Sequence, residues 1–184
     1  MQNFENLTEK QVESREIFDG YIMHVFKDTV ELPNGKLAPR EYMRHVGAVC
    51  VVPLLDDGSV LLERQFRYPV GKVLMEIPAG KLDSKDEDPR KAAARELLEE
   101  TGAEELIELG MFLPACAYSD EAIHMYAAKK LTFREQKLDA DEFLNVFTMP
   151  LEQAVQKVLA GEIWDAKTQT ALLKVWLLRQ QGRL

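Results

Sequence analysis

The chain has 184 residues, 46% of them hydrophobic, enough for one sizeable core with a small appended lobe. A formal net charge of −8 excludes a global basic field for DNA, RNA or an anionic membrane, so a phosphorylated ligand needs local arginines or metal ions. Cys50 and Cys116 form neither a disulfide framework nor a CxxC pair, and both are expected as small buried hydrophobes.

Residues 1–6 carry neither a basic region nor an apolar one, so no secretory signal is read there. The longest apolar run, Val46 to Leu55, is ten residues and too short to span a bilayer. A cytoplasmic protein is expected.

In chain order, Gln11 to Met43 reads as two or three strands, with Asn34-Gly35 marking a hairpin. The run Gly47 to Leu54 has the continuous apolarity of a strand buried on both faces. Asp56-Asp57-Gly58 turns the chain into a strand over 59–67, and Lys72 to Ile77 gives another, ended by Pro78-Ala79-Gly80. Asp88-Pro89 opens a helix with Asp at the N-cap and Pro at the first helical position. That helix is expected to run from Arg90 to about Thr101 and to stop at Gly102. Strands follow at 106–112, 122–128 and 142–148. Two helices close the chain, 151–160 before Gly161 and 165 to about 180. The pattern is a mixed α+β domain preceded by a small N-terminal sheet.

The chemistry concentrates in Arg95-Glu96-Leu97-Leu98-Glu99-Glu100-Thr101-Gly102. On a helix Glu96 and Glu100 share a face and Glu99 lies three residues from Glu96. Like charges at this spacing cost roughly 0.2–0.5 kcal/mol per pair, and Arg95, four residues from Glu99, offsets part of that. Such a carboxylate cluster suits a hard divalent cation. A solvated charged face is the plain alternative. Against it, Leu97, Leu98 and the alanines at 92–94 pack this helix onto something else.

Gly80, Glu87, Arg95, Glu96, Leu97, Glu99, Glu100 and Gly102 resemble the Nudix box, GX5EX7REUXEEXGU with U aliphatic. From Glu87 onward the spacing is complete. Six residues, not five, separate Gly80 from Glu87, so the loop carries one extra residue or Asp86 takes the acidic position. Further segments are similar to the ADP-ribose pyrophosphatase branch of that family. They are 32–35, 40–41, 44–48, 63–67, 76–81 and Trp164-Asp165-Ala166-Lys167-Thr168.

The resemblance implies an α+β fold, an α/β/α sandwich around a mixed sheet, with an N-terminal antiparallel sheet. It divides the chain into a dimerisation lobe at 1–44 and a catalytic domain at 45–184. It implies a homodimer whose sites borrow residues from both subunits, and a nucleotide-sugar substrate, with no nucleic acid or membrane partner. Mg2+ is the implied cofactor, with Mn2+ as substitute. Glu96, Glu100, Glu99 and the carbonyl of Ala79 would hold metal, and Arg95 would orient the carboxylates. The general base would come from 139–142, with Glu142 favoured, while Glu99 would be a further ligand or hold water. Arg67 would clamp phosphate or ribose, with Glu76, Arg40 and Arg44 further substrate-binding residues.

The stretch Ala115-Cys116-Ala117-Tyr118-Ser119-Asp120-Glu121 departs from the Ser-Pro-Gly turn of that branch. Glu121 falls where the family places a catalytic-loop or substrate-binding glutamate. His24, His45 and His124 lack HExxH spacing, and neither a Walker loop nor GxGxxG is present. The expected reaction is hydrolysis of ADP-ribose to AMP and ribose 5-phosphate. GDP-mannose or another nucleotide sugar stays open as substrate, as does a domain that senses a nucleotide sugar without cleaving it.

Overall fold

The computed structural model describes residues 6–133 and 143–184, without the side chains of 98–104 and 133. Residues Met1–His45 with Ala115–Glu121 form one compact unit, and Val46–Pro114 with Ala122–Leu184 form another.

The first unit is an antiparallel sheet, β1 (Lys10–Asp19), β2 (His24–Glu31) and β3 (Leu37–Arg44), in that order. The Asn34-Gly35 turn joins β2 to β3, with Gly35 at φ 79° in the left-handed region that favours glycine. Buried Asp28 accepts from Gln11 Nε2 at 2.7 Å and from the Tyr42 hydroxyl at 3.0 Å. Residues 115–121 belong here because the Met43 amide donates to the Tyr118 carbonyl and the His45 amide to Asp120. Cys116 lies in this segment and is exposed, contrary to the expectation of a buried residue. A turn that spends its hydrogen bonds on β3 leaves that side chain at the surface. Cys50 is buried as expected, and burial pushes its thiol pKa up to about 12.

The second unit contains a mixed sheet of four strands and an antiparallel sheet of three. The mixed sheet has the order β7 (Ala79–Lys81), β4 (Ala48–Pro53), β9 (Ile123–Phe133), β8 (Thr101–Phe112), with β4 and β9 parallel. The other has the order β10 (Leu144–Pro150), β5 (Ser59–Arg67), β6 (Lys72–Glu76). Helices α1 (Pro89–Glu100), α2 (Leu151–Leu159) and α3 (Ala166–Gln180) complete the unit.

Strand alternation makes β4 the centre of two cores. Val49 and Val51 pack with Ala92, Ala93 and Leu97 of α1. Cys50 and Val52 pack with Val155 of α2 and Ala171, Leu172 and Val175 of α3. Helices therefore cover both faces, the expected α/β/α sandwich, and each buried Val or Leu contributes roughly 1.5–3 kcal/mol. Among the described residues no helix is long and apolar enough to cross a membrane.

Two local expectations change. Helix α1 stops at Glu100, within a residue of the expected end, but the strand expected over 106–112 begins already at Thr101 and pairs through to Phe133 of β9. Pro78-Ala79-Gly80 does not simply end a strand, because Ala79–Lys81 pairs with Cys50, Val49 and Ala48 of β4.

Candidate active site

Helix α1 starts as its sequence dictates: the Asp88 carboxylate accepts from the Arg90 amide at 2.9 Å, and Pro89 occupies the first turn. Its apolar face seats it on β4, which turns Arg95 and Glu96 towards β7 and the loop after it. Arg95 Nη1 donates to Glu96 at 2.6 Å. Arg95 Nη2 lies 3.3 Å from Glu87, 3.4 Å from the Lys81 carbonyl and 3.7 Å from Asp83. Burial disfavours the guanidinium charge, but Glu96, Glu87 and Asp83 outweigh it and raise the Arg95 pKa above its ordinary value.

The longer loop closes on Glu87. Its carboxylate accepts from the Asp83 amide at 2.6 Å and from Arg95, so the extra residue is absorbed before it. Asp83 and the Lys81 carbonyl are partners the sequence reading did not single out. Opposite them, a Cβ built on Gly80 would fall on the Glu96 carboxylate. The bare backbone at Gly80 is thus a cradle for that carboxylate, beside the Ala79–Gly80 peptide. Carboxylate and carbonyl oxygens gathered this way fit a hard divalent cation. The side chains of Glu99 and Glu100 fall outside the described residues, as does all of Glu142.

A second polar group lies at the end of β6. Arg67 forks onto buried Glu76 through Nε at 2.8 Å and Nη2 at 2.7 Å. That contact holds the Arg67 pKa above its ordinary value. Lys167, also buried, donates to the same carboxylate and lies 3.1 Å from Asp165. Burial would push the Glu76 carboxyl up, but Arg67 and Lys167 together hold it below the ordinary range. Lys167, Thr168 and Asp165 were not assigned roles from sequence. The capping spacing Asp165 to Thr168 is the signal that could have pointed to them.

The remaining sequence-predicted residues belong to the first unit. Arg40 is held by Glu9, with Nε at 2.8 Å. The Arg44 guanidinium lies 3.9 Å from the Phe26 ring centroid and donates to Tyr42 at 3.0 Å. Glu121 lies 3.6 Å from His45 Nδ1.

An arginine-clamped carboxylate helix thus faces a glycine-backed strand within an α/β/α sandwich, an arrangement of oxygens able to take a hard divalent cation. Comparison with known proteins gives the particular family. Residues 43–172 match the NUDIX domain and 9–43 the nucleoside diphosphate sugar hydrolase N-terminal domain. The chain is 41% identical over 171 residues to the ADP-ribose pyrophosphatase of Bacillus subtilis (strain 168), covering 91% of this chain and 92% of that one. It is also 41% identical over 168 residues to a methanol dehydrogenase activator of Bacillus methanolicus, covering 89% and 90%. A solved ADP compounds hydrolase superposes with a TM-score of 0.84 at 25% identity, covering 98% of this chain and all of that one. The chain belongs to the Nudix family, and is an enzyme of its nucleoside diphosphate sugar hydrolase branch.

Proposed function

We propose that the enzyme hydrolyses the pyrophosphate of ADP-ribose in the presence of Mg2+, adding water across one P–O–P bridge to give AMP and ribose 5-phosphate. The observation that carries this reading is the Glu96 carboxylate, clamped by Arg95 and fitted onto the bare backbone of Gly80. Glu96, Glu99, Glu100 and the Ala79 carbonyl would hold the metal, with Mn2+ as a substitute for Mg2+. When bound, the metal neutralises pyrophosphate oxygens and activates water. Arg95 fixes the carboxylates and does not touch substrate.

Glu142 serves as general base and Glu121 assists in the catalytic loop. Arg67 holds a phosphate or the terminal ribose, because its fork onto Glu76 leaves Nη1 outside the pairing. Arg40 and Arg44 add substrate contacts from the N-terminal lobe of residues 1–44, the remainder being the catalytic domain. The exposed apolar residues of β1 and its turn support a homodimer. The net charge of −8 supports the absence of a nucleic-acid partner, and a cytoplasmic location completes this reading.

The test is a panel of ADP-ribose, GDP-mannose and other nucleotide sugars with product identification, with Mg2+ and with chelator. ADP-ribose should be turned over best, releasing AMP only with metal. Glu96→Gln should keep the fold and lose roughly 10²–10⁴ in turnover. Preferred cleavage of GDP-mannose would reassign the sugar. Tight ADP-ribose binding with no AMP released would favour a sensing domain.

A further inference from the structure

The β5–β6 hairpin and the turn between α2 and α3 border a cavity of about 450 Å³. Pockets of that size take small organic ligands. None of its lining residues belongs to the Arg95–Glu96 group or to the Arg67–Glu76–Lys167 group. Val73 and Met75 of β6 supply apolar wall, Trp164 an aromatic ring, and Arg64 and Lys72 positive charge.

The Trp164 ring is fixed and offers its face. Its indole N–H donates to the Gly161 carbonyl at 2.8 Å, so the polar atom of that side chain is satisfied, yet the residue is 54% exposed. Lys72 Nζ lies 4.1 Å from the Trp164 ring centroid, and the Arg64 guanidinium lies 4.9 Å from that of Phe147. A ring face attracts a cation without neutralising it. Among the described residues neither cation is paired with a carboxylate. Glu162, the acidic residue of the lining, gives one oxygen to Lys157 at 2.5 Å. In a chain of net charge −8, two such cations beside an aromatic ring in one concavity attract an anion.

The lining also sets the chemistry of that anion. Inorganic phosphate would use the cations and leave Trp164, Val73 and Met75 without a role. An uncharged aromatic molecule would use those three and leave the charges unanswered. A nucleotide uses both. Its base stacks on Trp164, and the polarisable sulfur of Met75 suits contact with a ring. The Arg64 fork matches two phosphate oxygens and Lys72 adds a point charge. The second oxygen of Glu162 can accept from a ribose hydroxyl or an exocyclic amine. A two-ring base fills more of this volume than a one-ring base. We propose that this cavity is a second nucleotide site, which takes a purine nucleoside monophosphate and needs no metal. AMP, a product of the proposed reaction, is one such molecule, but binding here does not depend on that reaction.

The test is calorimetric titration of the full chain with AMP in the presence of chelator. AMP should bind with a Kd below about 1 mM, and adenosine and inorganic phosphate should each bind at least about tenfold more weakly. Arg64→Ala with Lys72→Ala, and separately Trp164→Leu, should weaken AMP by roughly tenfold or more, while Trp164→Phe should stay within about threefold of the parent. All three side chains are exposed, so these variants should keep the parent melting curve. Glu96→Gln and Arg67→Ala should bind AMP within about threefold of the parent, since neither residue lines the cavity.

Absence of AMP binding at several millimolar overturns the proposal. So does AMP binding that is lost in Arg67→Ala and kept in the cavity variants, which would seat AMP in the catalytic site. Phosphate binding as tight as that of AMP overturns the nucleotide assignment. If Trp164→Leu does not fold, the Arg64 and Lys72 double variant decides, and unchanged AMP binding there is equally fatal.

Discussion

At Gly80 the strand carries no side chain on the side where the Glu96 carboxylate lies. The backbone there is not in the left-handed region, so alanine meets no conformational penalty. The added methyl would displace only the far end of the flexible Glu96 side chain, pushing its carboxylate out of the contact with Arg95. Gly80→Ala should therefore fold within about 1 kcal/mol of the parent. Its kcat/KM should nevertheless fall on the order of 10²-fold, as expected when a catalytic group moves by about an ångström. Urea unfolding and steady-state kinetics on the same sample separate the two effects. Parental turnover in Gly80→Ala would mean that Glu96 needs no such cradle.

At the scale of elements, what was legible depended on whether the signal was local. The apolar run over 47–54 announced β4, and Asp88-Pro89 and Asp165 announced the starts of α1 and α3. Box spacing placed Arg95 and Glu96 on one helix, and their mutual bond is present. Long-range pairing was not legible. The helix stop near Gly102 is present, yet the strand expected from 106 starts at Thr101, where β9 recruits the chain into β8. Pro78-Ala79-Gly80 reads as a break, yet β4 takes it as β7. Nor does anything local announce that Lys167 of α3 meets Glu76 of β6, 91 residues away in sequence. The same helix start supplies a test. Asp165 accepts two bonds from Thr168 and faces Lys167, so Asp165→Ala should cost about 1–3 kcal/mol. Chemical denaturation reads this directly, and a loss of only a few tenths would show that the cap contributes little.

For the whole molecule the open question is what covers β1. This edge strand is exposed along all ten residues, and Val12, Ile17 and Phe18 are among them. Its turn adds Tyr21, at 94% exposure, with Ile22 and Met23. An edge strand normally protects itself with charge, a bulge or a partner. β1 has register shifts and charged residues, but those do not hide a run of large apolar side chains at its end. A second copy of the chain would bury them. Light scattering should then give twice the 21.0 kDa chain mass. Phe18→Asp with Ile22→Asp should shift that mass to the monomer while leaving the second unit's core untouched. If the sites borrow residues from both subunits, activity should fall with the dimer and recover at higher protein concentration. A parent protein that stays at 21.0 kDa across the concentration series would overturn the dimer. Full activity in the monomeric double variant would instead confine the site to one chain.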